Sequence, residues 1–237
     1  MKFANVKQIL AMVAAVAILL FTIDYFKNPQ LWHPPSAVMA GPGVRLTLWM
    51  NHMCCTECLA DVRKALGDIP GVDVANAKGP ESLLTQAQAN MQMTPLPDYG
   101  NKLELPVTDL EKLDVVALDR RLRDKGLVAG RMELSGVEHF RVEATLDHLC
   151  CGMCDRSIPD RVSFLKASGQ GRLKWIDSVT VKHEAKTVVA YARFLEPGKS
   201  TDVAEFLSGL NYLGYEPSSL RIVAEQTPPP MHAHAGE

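Results

Sequence analysis

Six cysteines occur in the 237-residue chain, and they fall in two short runs: Cys54, Cys55 and Cys58, then Cys150, Cys151 and Cys154. Each run follows a histidine, so His52-Met53-Cys54-Cys55-Thr56-Glu57-Cys58 recurs as His148-Leu149-Cys150-Cys151-Gly152-Met153-Cys154. One histidine and three cysteines matching in a single register make an internal repeat. The chemistry open to such a run is soft-metal binding. Two thiolates can form a linear or bent site for Cu(I) or Hg(II), and three thiolates with an imidazole form the Cys₃His set that Zn(II) takes tetrahedrally. Two other chemistries use the same residues. A CxxC pair closes readily as a disulfide in an oxidising compartment, although three thiols per run leave one without a mate. Disulfide oxidoreductases also place an attacking thiolate with CxxC at the start of a helix.

The flanks say what positions the runs. Residues 44–50 and 140–146 alternate apolar and polar types and are rich in strand formers, so each run caps a strand. Leu59, Val62, Leu66 and Ile69 follow the first run at three- and four-residue spacing, as Ile158, Val162 and Leu165 follow the second, so each run opens a helix. In the second unit, strands are expected over 175–181 and 187–191, a helix around Val203, Phe206, Leu207 and Leu210, and a last strand over 220–223. The first unit repeats the order, with middle strands at 72–75 and 102–107, a helix over 115–125 and a last strand over 127–134. The expected fold class is α+β: two tandem β-α-β-β-α-β units, over 44–136 and 137–225, the first carrying an insert at 77–101. Consecutive cysteines at a strand end need not point the same way, so Cys54 and Cys150 are candidates to face the core.

On these residues the chain resembles the heavy-metal-associated domains of copper chaperones, mercury-binding periplasmic proteins and the N-terminal modules of metal-exporting ATPases. The resemblance implies a ferredoxin-like fold for both units. The family motif, Met-x-Cys-x-x-Cys between first strand and first helix, is matched by Met53 to Cys58. It implies Cys55 and Cys58 as ligands, with Cys54 in the variable position. The second unit has Cys151 and Cys154 in those places and Leu149 where the methionine would be, a position that looks like a packing site. Ile69-Pro70-Gly71-Val72 and Leu213-Gly214-Tyr215 continue the likeness. The chain departs from the pattern in having His52 or His148 where a glycine is usual, and in the added Cys54 and Cys150. A helix N-terminus, by its free N–H groups, favours the thiolate at such ligands. His52 and His148 are candidates to complete a Cys₃His set.

Ahead of both units, Lys2 and Lys7 precede an uncharged apolar stretch over 8–23, with Asp24 and Lys27 after it. This reads as an uncleaved transmembrane anchor over 1–27, N-terminus inside, holding the domains in the periplasm of a bacterial inner membrane. A Pro/Gly linker over 28–43 and a disordered tail over 226–237 are expected. With 25 Lys+Arg against 27 Asp+Glu, the chain has no bulk charge to draw it to nucleic acid. Phosphate loops, nucleophile elbows and paired carboxylates do not stand out, so no enzyme activity is expected. The expected function is sequestration or hand-over of Cu(I), Zn(II), Hg(II) or another soft ion, with a metal donor or acceptor protein as partner. The alternative is a non-catalytic accessory subunit of a respiratory or photosynthetic membrane complex.

Overall fold

The computed structural model describes residues 43–79, 101–149, 152–168 and 173–225. The anchor, linker and tail proposed from the sequence, most of the insert, and Cys150 and Cys151 lie outside these. Among the described residues no helix is long and apolar enough to cross a membrane. The chain is α+β, and its described residues form two four-stranded antiparallel sheets and four helices.

The first sheet has β1 (Arg45–Met50) at its centre, flanked by β2 (Lys102–Pro106) and β3 (Ala129–Ser135). Period-two alternation puts Leu46, Leu48, Leu103, Leu105, Met132 and Leu134, each at most 1% exposed, on the helix-covered side. The opposite side carries Arg45, Lys102 and Glu104 in ion pairs, and Trp49 with the Lys102 and Arg131 cations 5.8 and 5.4 Å from its ring centroid. Two helices cover the apolar face. Helix α1 (Thr56–Leu66) buries Leu59, Val62, Ala65 and Leu66, and α2 (Val115–Arg123) buries Val115, Val116, Leu118 and Leu122. Both sets recur at helical spacing, so one stripe of each helix meets the sheet.

The second sheet runs β5-β6-β4-β8, from β4 (Phe140–Leu146), β5 (Ile176–Lys182), β6 (Thr187–Ala192) and β8 (Pro217–Ala224). Helix α3 (Met153–Ala167) follows β4, and α4 (Ala204–Tyr212) precedes β8. This is the β-α-β-β-α-β order expected, and the architecture is compatible with two ferredoxin-like units. Trp175 stacks on Phe140 at 5.8 Å and meets Phe206 edge-on at 6.4 Å.

One expected strand is absent. Residues 72–75 do not form a strand; over 71–79 the chain touches the sheet through single bridges, Val72 to Val107 and Lys78 to Glu104. The cause is local. The Asp73 carboxylate accepts from the Asn76 backbone N–H at 3.1 Å and from its side-chain amide at 2.6 Å, which turns the backbone away from the ladder. Gly71 prepares this turn at φ 87°, a conformation in which any Cβ would collide with the Asp109 carbonyl.

A short strand absent from the sequence expectations joins the repeats. Strand β7 (Ser200–Asp202) belongs by sequence to the second unit but pairs with β3 of the first, Leu134 opposite Thr201. Asp202 Oδ1 accepts from the Met132 N–H at 2.9 Å and from the Ala204 N–H at 3.1 Å, where α4 opens. The mirror arrangement lies across the molecule. Asp114, the N-cap of α2, accepts from the N–H groups of Val116 and Ala117 and, at 3.0 Å, from the Leu220 N–H of β8. Each repeat therefore uses the aspartate ahead of its second helix to satisfy the outer edge of the other repeat's last strand. Buried apolar side chains from both repeats form one continuous core.

Candidate metal centre

The first cysteine run is held between a strand end and a helix start. The β1–β3 register shifts between Trp49 and Met50, and the β4–β8 register shifts between Thr145 and Leu146. Each irregularity falls at the corresponding place, two residues before the histidine of its run, where a bulge re-aims the chain. Beyond it, Met50 N–H donates to the Asn101 carbonyl at 2.7 Å and Asn51 N–H to the Val128 carbonyl at 2.9 Å. These bonds fix the base of the loop.

Alternation resumes in the loop one residue out of phase with β1, since Asn51 and His52 are both exposed. His52 is exposed, Met53 buried, Cys54 exposed and Cys55 buried, the pattern of extended backbone, so His52 and Cys54 share the outer side. Cys54, a candidate both for ligation and for the core, therefore faces out, and Cys55, at 6% exposure, takes the inward place. Cys55 is the N-cap of α1 in extended conformation, without a formed side-chain cap. Cys58, one turn into the helix, is half-buried and meets both sides. Its Sγ lies 3.4 Å from Cys55 Sγ and 3.8 Å from Cys54 Sγ, and Cys54 Sγ lies 3.8 Å from His52 Nε2. The ligand atoms of His52, Cys54 and Cys58 all fall within 4.8 Å of one another, so this group could hold a metal ion.

Proton affinities differ within the cluster. The Cys58 backbone N–H, then its thiol, lower the pKa of Cys55, with a further contribution from the Glu57 N–H. Burial pushes the Cys58 thiol up, and the neighbouring Cys55 sulfur adds to the rise. In the absence of an ion, Cys55 is thus the better thiolate and Cys58 the better proton holder. All three sulfurs are free thiols.

The second run is described only in part. His148 is exposed, Leu149 is 4% exposed, and Cys154 is half-buried in the first turn of α3. Cys150 and Cys151 lie outside the described residues, which therefore hold only His148 and Cys154 of the second candidate set. Pro159 lies inside α3 and has no N–H for the Asp155 carbonyl, which removes one hydrogen bond just after Cys154. Asp155 Oδ1 instead lies 3.4 Å from His183 Nδ1.

Met53, 1% exposed, and Leu149 fill equivalent core positions. Met53→Leu is therefore expected to cost less than about 1.5 kcal/mol and to leave metal affinity unchanged. Thermal unfolding and a metal competition titration on the same variant check this; a loss of affinity would make the thioether a ligand.

No protein-family model matches the chain, and no curated protein matches it.

Proposed function

We propose that this chain is a metal-binding protein of two ferredoxin-like units, similar to heavy-metal-associated domains, that carries a soft or borderline ion on its HxCCxxC loops. In this reading Cys55, Cys58, Cys54 and His52 serve the first loop, and Cys151, Cys154, Cys150 and His148 the second. The segment over 1–27 anchors the units at the periplasmic side of a bacterial inner membrane, and a donor or acceptor protein exchanges the ion. The protein sequesters or hands over Cu(I), Hg(II) or Zn(II) and performs no catalysis.

The observation that carries the proposal is the packing of the Cys54 and Cys55 sulfurs about that of Cys58, with the His52 imidazole beside Cys54. Four ligands about 2.3 Å from a tetrahedral ion stand about 3.8 Å apart, whereas two sulfurs on opposite sides of a linear ion stand about 4.6 Å apart. The separations of 3.4 and 3.8 Å fit the three- or four-coordinate arrangement. They are also far longer than the bond of about 2.05 Å in a disulfide.

The test is metal analysis of protein purified without oxygen, beside Cys55→Ser and Cys151→Ser variants. Stoichiometric metal that is lost with either cysteine supports the reading, and metal-free wild-type protein that takes up none of the three ions overturns it. A pH dependence follows from Cys58. Its proton is held tightly and must leave when the thiolate binds an ion, so acid competes with the metal. Apparent affinity should fall as pH falls, about tenfold per unit for each proton displaced, in a chelator competition run from pH 8 to about pH 6. A flat profile would remove Cys58 from the ligand set.

A further inference from the structure

The four candidate ligands of the first loop are not equally reachable. His52 and Cys54 are exposed, Cys58 is half-buried, and Cys55 is buried behind it. The compact group within 4.8 Å is His52, Cys54 and Cys58. Cys55 is joined to that group through Cys58, at 3.4 Å. An ion arriving on a donor molecule must be met while still bound, so the first ligand to reach it has to project into solvent, and the ligand that holds it longest has to be sheltered.

We propose that the loop loads its ion in a fixed order: His52, Cys54 and Cys58 form an outer seat that takes a borderline divalent cation such as Zn(II) from its donor, and Cys55 joins last to close the site. The inference rests on the metal-binding reading above and adds the order of ligand exchange and the class of ion. An imidazole beside two thiolates favours a borderline divalent ion over the softest monovalent ones. Cys58 is common to both stages, which lets the ion move inward without being released. The exchange is a substitution at the metal. A bond forms from Cys54 sulfur as one donor ligand departs with its electron pair, and the same happens at Cys58 and His52. Each thiol that binds gives its proton to water, and no atom changes oxidation state. Cys55 then replaces the last donor ligand or water, completing a Cys₃His set.

The order can be read kinetically in the full chain, with Cys150, Cys151 and Cys154 changed to serine so that only the first loop takes part. Zn(II) is supplied as its complex with a chromophoric chelator, and loss of the complex's absorbance is followed by stopped flow. Release is read separately, by adding excess chelator to the loaded protein. Cys54→Ser is expected to slow uptake about tenfold, the effect of losing one contact on the way to the barrier. Cys55→Ser is expected to leave uptake unchanged and speed release about tenfold or more. Circular dichroism confirms that each variant is folded. Uptake by Cys54→Ser at the parent rate, or slowed uptake in Cys55→Ser, overturns the order. If the parent takes up no Zn(II) while retaining Cu(I), the metal-binding reading survives and the proposed order and ion class fall. If it retains no ion, both fall.

Discussion

Cys58→Ser is expected to lower the metal affinity of the first loop by roughly 100-fold or more. Structural zinc sites of four ligands hold their ion with about 10–16 kcal/mol, about 3 kcal/mol per ligand, and 3 kcal/mol is a factor above 100. Cys58 also stands between the others, its sulfur 3.4 Å from that of Cys55 and 3.8 Å from that of Cys54. Serine cannot supply a thiolate near neutral pH and leaves Cys54 and Cys55 on opposite sides of the gap. The measurement is competition against a chelator of known affinity, in protein whose second run has been changed to serine. Cys54→Ser should lose less than Cys58→Ser at equilibrium. Equal losses from the two variants would contradict the central placement of Cys58.

Removing both aspartates at the repeat junction is expected to have the largest effect on stability. In Asp114→Ala, the N–H groups of Val116 and Ala117 lose their cap, and the Leu220 N–H, on a residue with no exposed surface, loses its acceptor. A lost cap costs about 1 kcal/mol and an orphaned buried donor about 1–3 kcal/mol, so the single change should cost about 2–4 kcal/mol. Asp202→Ala orphans the N–H groups of Met132 and Ala204 in the same way. Each single variant should melt roughly 5–12 °C lower. The double variant should lose a large part of the 5–15 kcal/mol typical of a folded domain. Asp→Asn at either position keeps an acceptor oxygen and should lose much less, which separates the hydrogen bonds from the charge. Thermal unfolding by circular dichroism decides the matter; a drop under about 2 °C in both single variants would mean that the junction is held by other contacts.

The sequence was most informative where a side chain's place depended on its nearest neighbours. Residues 140–146 alternate cleanly and form β4 over the same span, and the helices after both cysteine runs start where the spacing of Leu59 and Val62, and of Ile158 and Val162, puts them. It was least informative where a distant partner decided. Ser200–Asp202 has three residues, too few to show a period, and is a strand because β3 offers it an edge. Residues 72–75 have the composition of a strand but are diverted by one Asp–Asn contact. At the candidate site, the cluster and its helix could be read directly. The facing of Cys54 was not legible, because the two-residue period of β1, which turns Leu46, Leu48 and Met50 inward, slips by one residue after the register shift at Trp49/Met50: Asn51 and His52 are both exposed, so Met53 and Cys55 point inward and Cys54 outward.

The reciprocal aspartates have a bearing on ancestry. Each unit completes the other by the same pair of contacts, which is the self-complementary logic of a twofold homodimer written into one polypeptide. A single ancestral unit, pairing with its own copy, would have needed only one such aspartate to close both edges. Once fused, the halves were released from identity: Met53 faces Leu149 across the duplication, and Thr56-Glu57 faces Gly152-Met153. Fusion thus lets two loops that would be identical in a symmetric pair differ in residue and in role.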